Sequence, residues 1–133
     1  MRIIFVAGGF DPIHAGHVEM IQLARGLGDY LIVSVARRKH MIKKKGYEFM
    51  PEAERVEILR NIKGVDEVQL HIGEDGTVIE NLKALRKRYR GNTIIFAKGG
   101  DRYKDEIPEK EICKELSIEI VDRLGKKNKV VLG

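Results

Sequence analysis

Ile3-Ile4-Phe5-Val6-Ala7-Gly8-Gly9-Phe10-Asp11-Pro12-Ile13-His14-Ala15-Gly16-His17 joins an apolar run to the start of an amphipathic helix. Residues 2–7 are almost wholly apolar, which predicts a strand buried on both faces. Val18, Ile21, Ala24 and Leu27 then recur at helical spacing, with Gly28 as the stop. Gly8 and Gly9 permit a tight turn and let backbone approach a ligand closely. The first amides of a helix are unpaired and partly positive, so a phosphate is expected at this turn. His14 and His17, at i and i+3, share roughly one face of the first turn and offer two donors to an oxyanion. Spacing alone leaves two other readings open, a metal-binding pair and ordinary helix-cap histidines. The turn lacks Gly-x-Gly-x-x-Gly and Gly-x-x-x-x-Gly-Lys-Ser/Thr, which excludes a dinucleotide fingerprint and a P-loop.

Working outward, Tyr30 to Ala36 reads as a second apolar strand, followed by Arg37 to Lys45 with six Lys or Arg in nine residues and no acid. This basic run, with 46–50, reads as loop. Pro51 is expected to open a helix, with Glu52 and Glu54 complementing its N-terminus and Val56, Leu59 and Ile62 as its stripe. Glu67 to Ile72 is a third strand, and Val78, Leu82, Leu85 and Tyr89 mark another helix. Thr93 to Ala97 is a fourth strand, 98–102 a loop, 108–116 a helix and Ile118 to Val121 a fifth strand. This alternation predicts an α/β fold, a doubly wound, Rossmann-like parallel five-stranded sheet with helices on both faces. Right-handed crossovers would bring the loops at 8–17, 37–50 and 98–105 to one sheet edge, where such folds bind ligands. Lys83, Arg86, Lys87, Arg88 and Arg90 read as a solvated helix face, and His40 and His71 as incidental.

A chain of 133 residues suits one domain; we assign 1–124 to it and 125–133 to a basic tail. The net charge of +5 favours an anionic partner. A lone cysteine, Cys113, suits a reducing compartment. No apolar run approaches a membrane span and no signal-peptide pattern opens the chain, so the expectation is a cytoplasmic protein with no membrane partner. The basic helix carries no interleaved aromatics for base stacking, so no nucleic-acid partner is expected.

Phe10-Asp11-x-x-His14-x-Gly16-His17 after a first strand resembles the signature of the cytidylyltransferase-like nucleotidyltransferase superfamily. Pro51-Glu52-x-x-Arg55 is similar to the segment where relatives carry a functional arginine. Asp66-Glu67-Val68 resembles the approach to the family's third strand. Lys98-Gly99-Gly100-Asp101 followed by Glu106-Ile107 resembles the nucleotidyltransferase domain of ADP-heptose synthases, with glycerol-3-phosphate cytidylyltransferase the next likeness. The resemblance covers residues 2–122. It implies an enzyme that transfers AMP or CMP from ATP or CTP to a phosphorylated sugar, polyol or cofactor precursor, releasing pyrophosphate. It further implies Mg²⁺ carried by the nucleotide, no protein-held metal, and a possible homodimer.

The same resemblance assigns His14 and His17 to charge on the triphosphate, and Arg55 to a phosphate-gripping fork. A lysine of the basic run reaches phosphate in the family, and Lys44 or Lys45 fits best. Gly8, Gly9, Phe10, Asp11, Gly16, Lys98, Gly99, Gly100 and Asp101 are the expected nucleotide contacts, Asp11 in an orienting or metal-side role. One family feature has no counterpart: a Ser/Thr-rich turn usually opens a final helix, yet no Ser or Thr follows Ser117, and Lys126, Lys127 and Lys129 stand there instead.

Overall fold

The computed structural model describes residues 1–99 and 107–124. Gly100, Asp101 and the basic tail lie outside the described residues. Its elements are β1 (Arg2–Gly8), α1 (Ala15–Arg25), β2 (Tyr30–Val35), α2 (Arg38–Lys45), α3 (Glu52–Arg60), β3 (Glu67–Leu70), α4 (Ile79–Arg88), β4 (Thr93–Gly99), α5 (Lys110–Glu115) and β5 (Glu119–Leu124). The five strands form one sheet in the order β3-β2-β1-β4-β5, and every neighbouring pair is parallel. The expected doubly wound sheet is borne out.

β1 is the central strand, and its alternation explains why it reads as continuously apolar. Ile3 and Phe5 enter one core with Leu82, Leu85 and Cys113 from α4 and α5. Ile4 and Val6 enter the other with Ile21, Ala24 and Leu59 from α1 and α3. A side-chain period of two thus needs apolar residues at every position when helices cover both faces. Each such fully buried side chain contributes about 1.5–3 kcal/mol. The chain winds outward through β2 and β3 over one face, then returns across β1 to β4 and β5 over the other. Strand order therefore reverses between β1 and β4, and their carboxyl ends diverge there to leave a crevice.

Two local expectations are corrected. The basic run is a helix, α2, ending at Gly46 in the left-handed region (φ 87°). Its charges hid the signal, because only His40 and Met41 of its eight residues are buried. Arg86 is no solvated residue: its guanidinium donates to the carbonyls of Tyr89, Asn92, Leu116 and Ser117, tying α4 to the end of α5. Among the described residues no helix is long and apolar enough to cross a membrane.

Gly28 shows how closely the chain packs where it leaves α1. A Cβ there would lie 2.8 Å from the Arg2 carbonyl oxygen and 2.7 Å from Ile4 Cδ1. At Gly26 the nearest such contact is 3.4 Å, an ordinary distance. Gly28→Ala is therefore expected to cost about 1–3 kcal/mol by overpacking, whereas Gly26→Ala changes stability by less than about 1 kcal/mol. Urea denaturation of both variants checks the contrast.

Candidate active site

The turn after β1 orients two imidazoles. His14 is the N-cap of α1, and its Nδ1 accepts the Gly16 amide at 3.1 Å. His17 Nδ1 accepts the His14 amide at 3.2 Å. In a neutral imidazole, an accepting Nδ1 places the proton on Nε2. Both rings therefore hold the tautomer in which Nε2–H is a donor. They stack with centroids 3.9 Å apart and planes at 29°, so the two donors act as one unit at the helix start. The His14–Gly16–His17 part of the expectation is brought together as drawn.

Four of the expected ligand contacts have partners within the protein. Phe10 is 3% exposed with φ at 54°, and its ring meets His17 edge-on at 5.1 Å. It supports the histidine from below. A Cβ on Gly8 would sit 3.2 Å from that ring, which accounts for glycine there. Asp11 accepts the amides of Phe49 at 2.8 Å and Met50 at 2.5 Å, and Lys45 Nζ at 3.2 Å. Its side chain is 1% exposed. Burial pushes its carboxyl up, but the Met50 and Phe49 amides and Lys45 outweigh that and hold it below the ordinary carboxylate range. Lys45 also donates to the Asp11 carbonyl at 2.8 Å. Asp11 and Lys45 thus hold each other and the segment at Phe49 and Met50.

Arg55 is the fourth. Its side chain is wholly buried; it donates to the carbonyls of Met50, Gly9 and Ala36 at 2.9, 2.9 and 2.6 Å and pairs with Glu48 at 2.6 Å. This is a clamp on three loops and not a fork open to phosphate.

Gly8 and Gly9 also wall a cleft of about 460 Å³ over the crevice. Lys43 and Lys44 of α2, Lys98 of β4, and the turn from Asp75 to Val78 line it too. Lys43 and Lys44 thus line the cleft, and Lys45 does not. Lys98 Nζ lies 5.2 Å over the Phe96 ring. Gly99 ends β4, where a Cβ would meet Met20 Cγ at 2.7 Å. His14 and His17 are not part of the cleft lining.

His40, His71 and Glu109 line the same cleft; in the sequence the two histidines read as incidental and Glu109 carries no mark. His71 follows β3 and lies 2.7 Å from buried Ser34 Oγ through Nδ1. Burial, and then the neighbouring charges of His40, Lys98, Arg37 and Arg55, push its pKa down to about 4. Nothing in local spacing marks it; an apolar strand interrupted by Ser34 was the one available signal. Among the described residues no group of three or more His, Cys, Asp or Glu could hold a metal ion.

Sheet order, the Gly-Gly turn and the paired histidines at a helix start define a nucleotidyltransferase type of α/β domain. The chain belongs to the cytidylyltransferase-like family, whose model matches residues 5–130, and the resemblance drawn from the sequence is borne out. The family is one of nucleotidyltransferase enzymes. The FAD synthase of Ferroglobus placidus is 35% identical over 106 residues, covering 80% of this chain and 64% of that protein. The bifunctional protein HldE of a Nitratiruptor species is 34% identical over 119 residues, covering 88% of this chain and 24% of that protein. The chain thus spans less than two thirds of either relative. A crystal structure described as the lipopolysaccharide core biosynthesis protein of Thermoplasma volcanium shares the fold, with a TM-score of 0.73 at 23% identity, covering 92% of this chain and 96% of that one.

Two outcomes follow from these contacts. Arg55→Met takes the 2.6 Å partner from Glu48, leaving it only Arg38 at 3.5 Å, and frees three carbonyls, so it is expected to cost about 3–5 kcal/mol; adding Glu48→Met should restore part of the loss in denaturant titrations. The second concerns pH. The unfolded chain protonates His71 near 6.5 and the folded chain near 4, so between those values the unfolded state binds more protons. Stability is therefore full above about pH 6.5 and falls as pH drops toward 4. His71→Asn keeps an acceptor for Ser34 and should flatten this slope; parallel slopes for variant and wild type would count against it.

Proposed function

We propose that this chain transfers AMP from ATP to a phosphorylated sugar, polyol or cofactor precursor and releases pyrophosphate, with CTP the alternative donor. The observation that carries the reading is the paired Nε2–H tautomer at the start of α1. Donors fixed by backbone, beside unpaired helix amides, suit an oxyanion that gains charge as the reaction proceeds. The name FAD synthase supports an adenylyl donor, since FAD is riboflavin phosphate joined to AMP; it also supports riboflavin phosphate as one candidate acceptor.

In this reading an oxygen of the acceptor phosphate bonds to the α-phosphorus from the side opposite the leaving group. The bond from that phosphorus to the bridging oxygen breaks, and its electron pair leaves with pyrophosphate. His14 and His17 donate to the triphosphate oxygens, Lys43 or Lys44 meets the acceptor phosphate, and Gly8 and Gly9 let the reacting groups approach the backbone. Mg²⁺ neutralises triphosphate charge when it arrives with the nucleotide. The Asp11 carboxylate, already engaged by two amides and Lys45, does not fit the role of its protein ligand.

A pyrophosphate-release assay pairing each nucleoside triphosphate with a panel of phosphorylated acceptors tests this. Release with ATP and at least one acceptor is the expected result; nucleotide binding without release under every pairing would leave a binding module of the same fold. His17→Ala is expected to lower kcat by roughly 10²–10³-fold with a much smaller change in nucleotide Kd. Equal losses in both would make His17 a ground-state contact.

A further inference from the structure

Met50 is held at three points, and the third reaches the histidine turn. Its amide donates to Asp11 Oδ1 at 2.5 Å, and its carbonyl accepts Arg55 Nε–H at 2.9 Å. Its sulfur accepts the Ile13 amide at 3.4 Å, across 37 positions of sequence. The Met50 side chain is half-buried and stands outside both apolar cores, whereas the Ile13 side chain packs against the core under α1. A thioether is a weak acceptor, and here it meets a backbone donor one residue before His14.

The place of that donor gives the contact its weight. Asp11 is tied through its carboxylate and its carbonyl. Pro12 has no N–H, so Ile13 supplies the first amide beyond Asp11. The next amide belongs to His14 and donates to His17 Nδ1 at 3.2 Å. Holding the Ile13 N–H fixes the peptide plane between Pro12 and Ile13, which limits how far the His14 N–H can turn away from His17. Two buried charges therefore act on the imidazoles through one sulfur: Arg55 and Asp11 place the Met50 backbone, Met50 Sδ places Ile13, and Ile13 precedes the N-cap.

We propose that the Met50 thioether is a positioning group for the histidine pair. It holds the His14 amide on His17 Nδ1 and so keeps the His17 proton on Nε2. Its effect on rate rests on the transfer reading above. A displacement of about 1 Å at a reacting centre can cost roughly 10²-fold in rate, so a loosened turn tells on turnover before it tells on nucleotide binding.

Two variants separate the acceptor from the bulk of the side chain. Met50→Leu keeps a similar apolar volume and removes the acceptor. Met50→Gln places an oxygen one bond beyond the sulfur position, which supplies the closer approach that an N–H···O bond needs, about 2.9 Å. Two readouts on the full chain need no turnover: hydrogen exchange of the His14 amide, and the nitrogen NMR spectrum of the His17 ring. In Met50→Leu the amide should exchange roughly tenfold faster and the ring should show both tautomers. Met50→Gln should stay within about threefold of wild-type exchange and keep the single Nε2–H form. In the pyrophosphate-release assay, Met50→Leu should lower kcat roughly tenfold with nucleotide Kd within about twofold, and Met50→Gln should recover most of that loss. Wild-type exchange and a single tautomer in Met50→Leu overturn the proposal. So does a Met50→Gln variant as impaired as Met50→Leu, or an equal loss in kcat and nucleotide affinity. Failure of the wild type to release pyrophosphate under every pairing defeats the transfer reading alone; the exchange rates and ring spectra still decide the role of Met50.

Discussion

The guanidinium of Arg55 has no exposed surface, yet the geometry of the sheet edge depends on it. It gathers carbonyls from the end of the β1 turn, the end of β2 and the segment before α3. Those carbonyls belong to loops, so no strand or helix neighbour completes them; a planar donor with five N–H groups does. Asp11 performs the complementary task from the other side, accepting the amides of Phe49 and Met50. The peptide groups around Met50 are held by a cation and an anion in turn, and the two clamps together fix the segment against the Gly-Gly turn.

Much of the fold was legible because burial on both faces removes the usual alternation from a strand. Ile3 to Ala7 and Thr93 to Ala97 could hardly be anything else, and β1 and β4 are the two strands at the crevice. What failed was of a different kind. Local pattern sees a residue's chemistry and not its partners, so the contacts that Arg55, Asp11 and Lys45 make inside the protein could not be read from it. Their partners lie 5 to 46 residues away in the chain for Arg55 and 34 to 39 for Asp11. The resemblance drew attention to this segment and says nothing of the contacts its charged groups make inside the protein.

His40 and His71 illustrate the same limit from the opposite direction. Each is isolated in sequence, 31 positions apart, yet their ring centroids lie 6.0 Å apart. Parallel topology produces this meeting: α2 follows β2, His71 follows β3, and register places both at one edge. The basic run posed a further difficulty, since a helix with almost all of its residues in solvent has no apolar stripe to detect.

The cleft and the histidine pair differ in how they are built, and that difference has an evolutionary consequence. The pair is held by its own helix-start amides and the central strand. Apart from the Gly8–Gly9 turn, the cleft walls come from three separate connections, after β2, β3 and β4, each able to vary in length and composition without touching the pair. Drift in those connections can therefore reshape the cleft while the histidine pair stays constant. A lineage built on this plan can change the cleft lining through point changes at positions such as 40, 71 and 109, with no need to reinvent the frame.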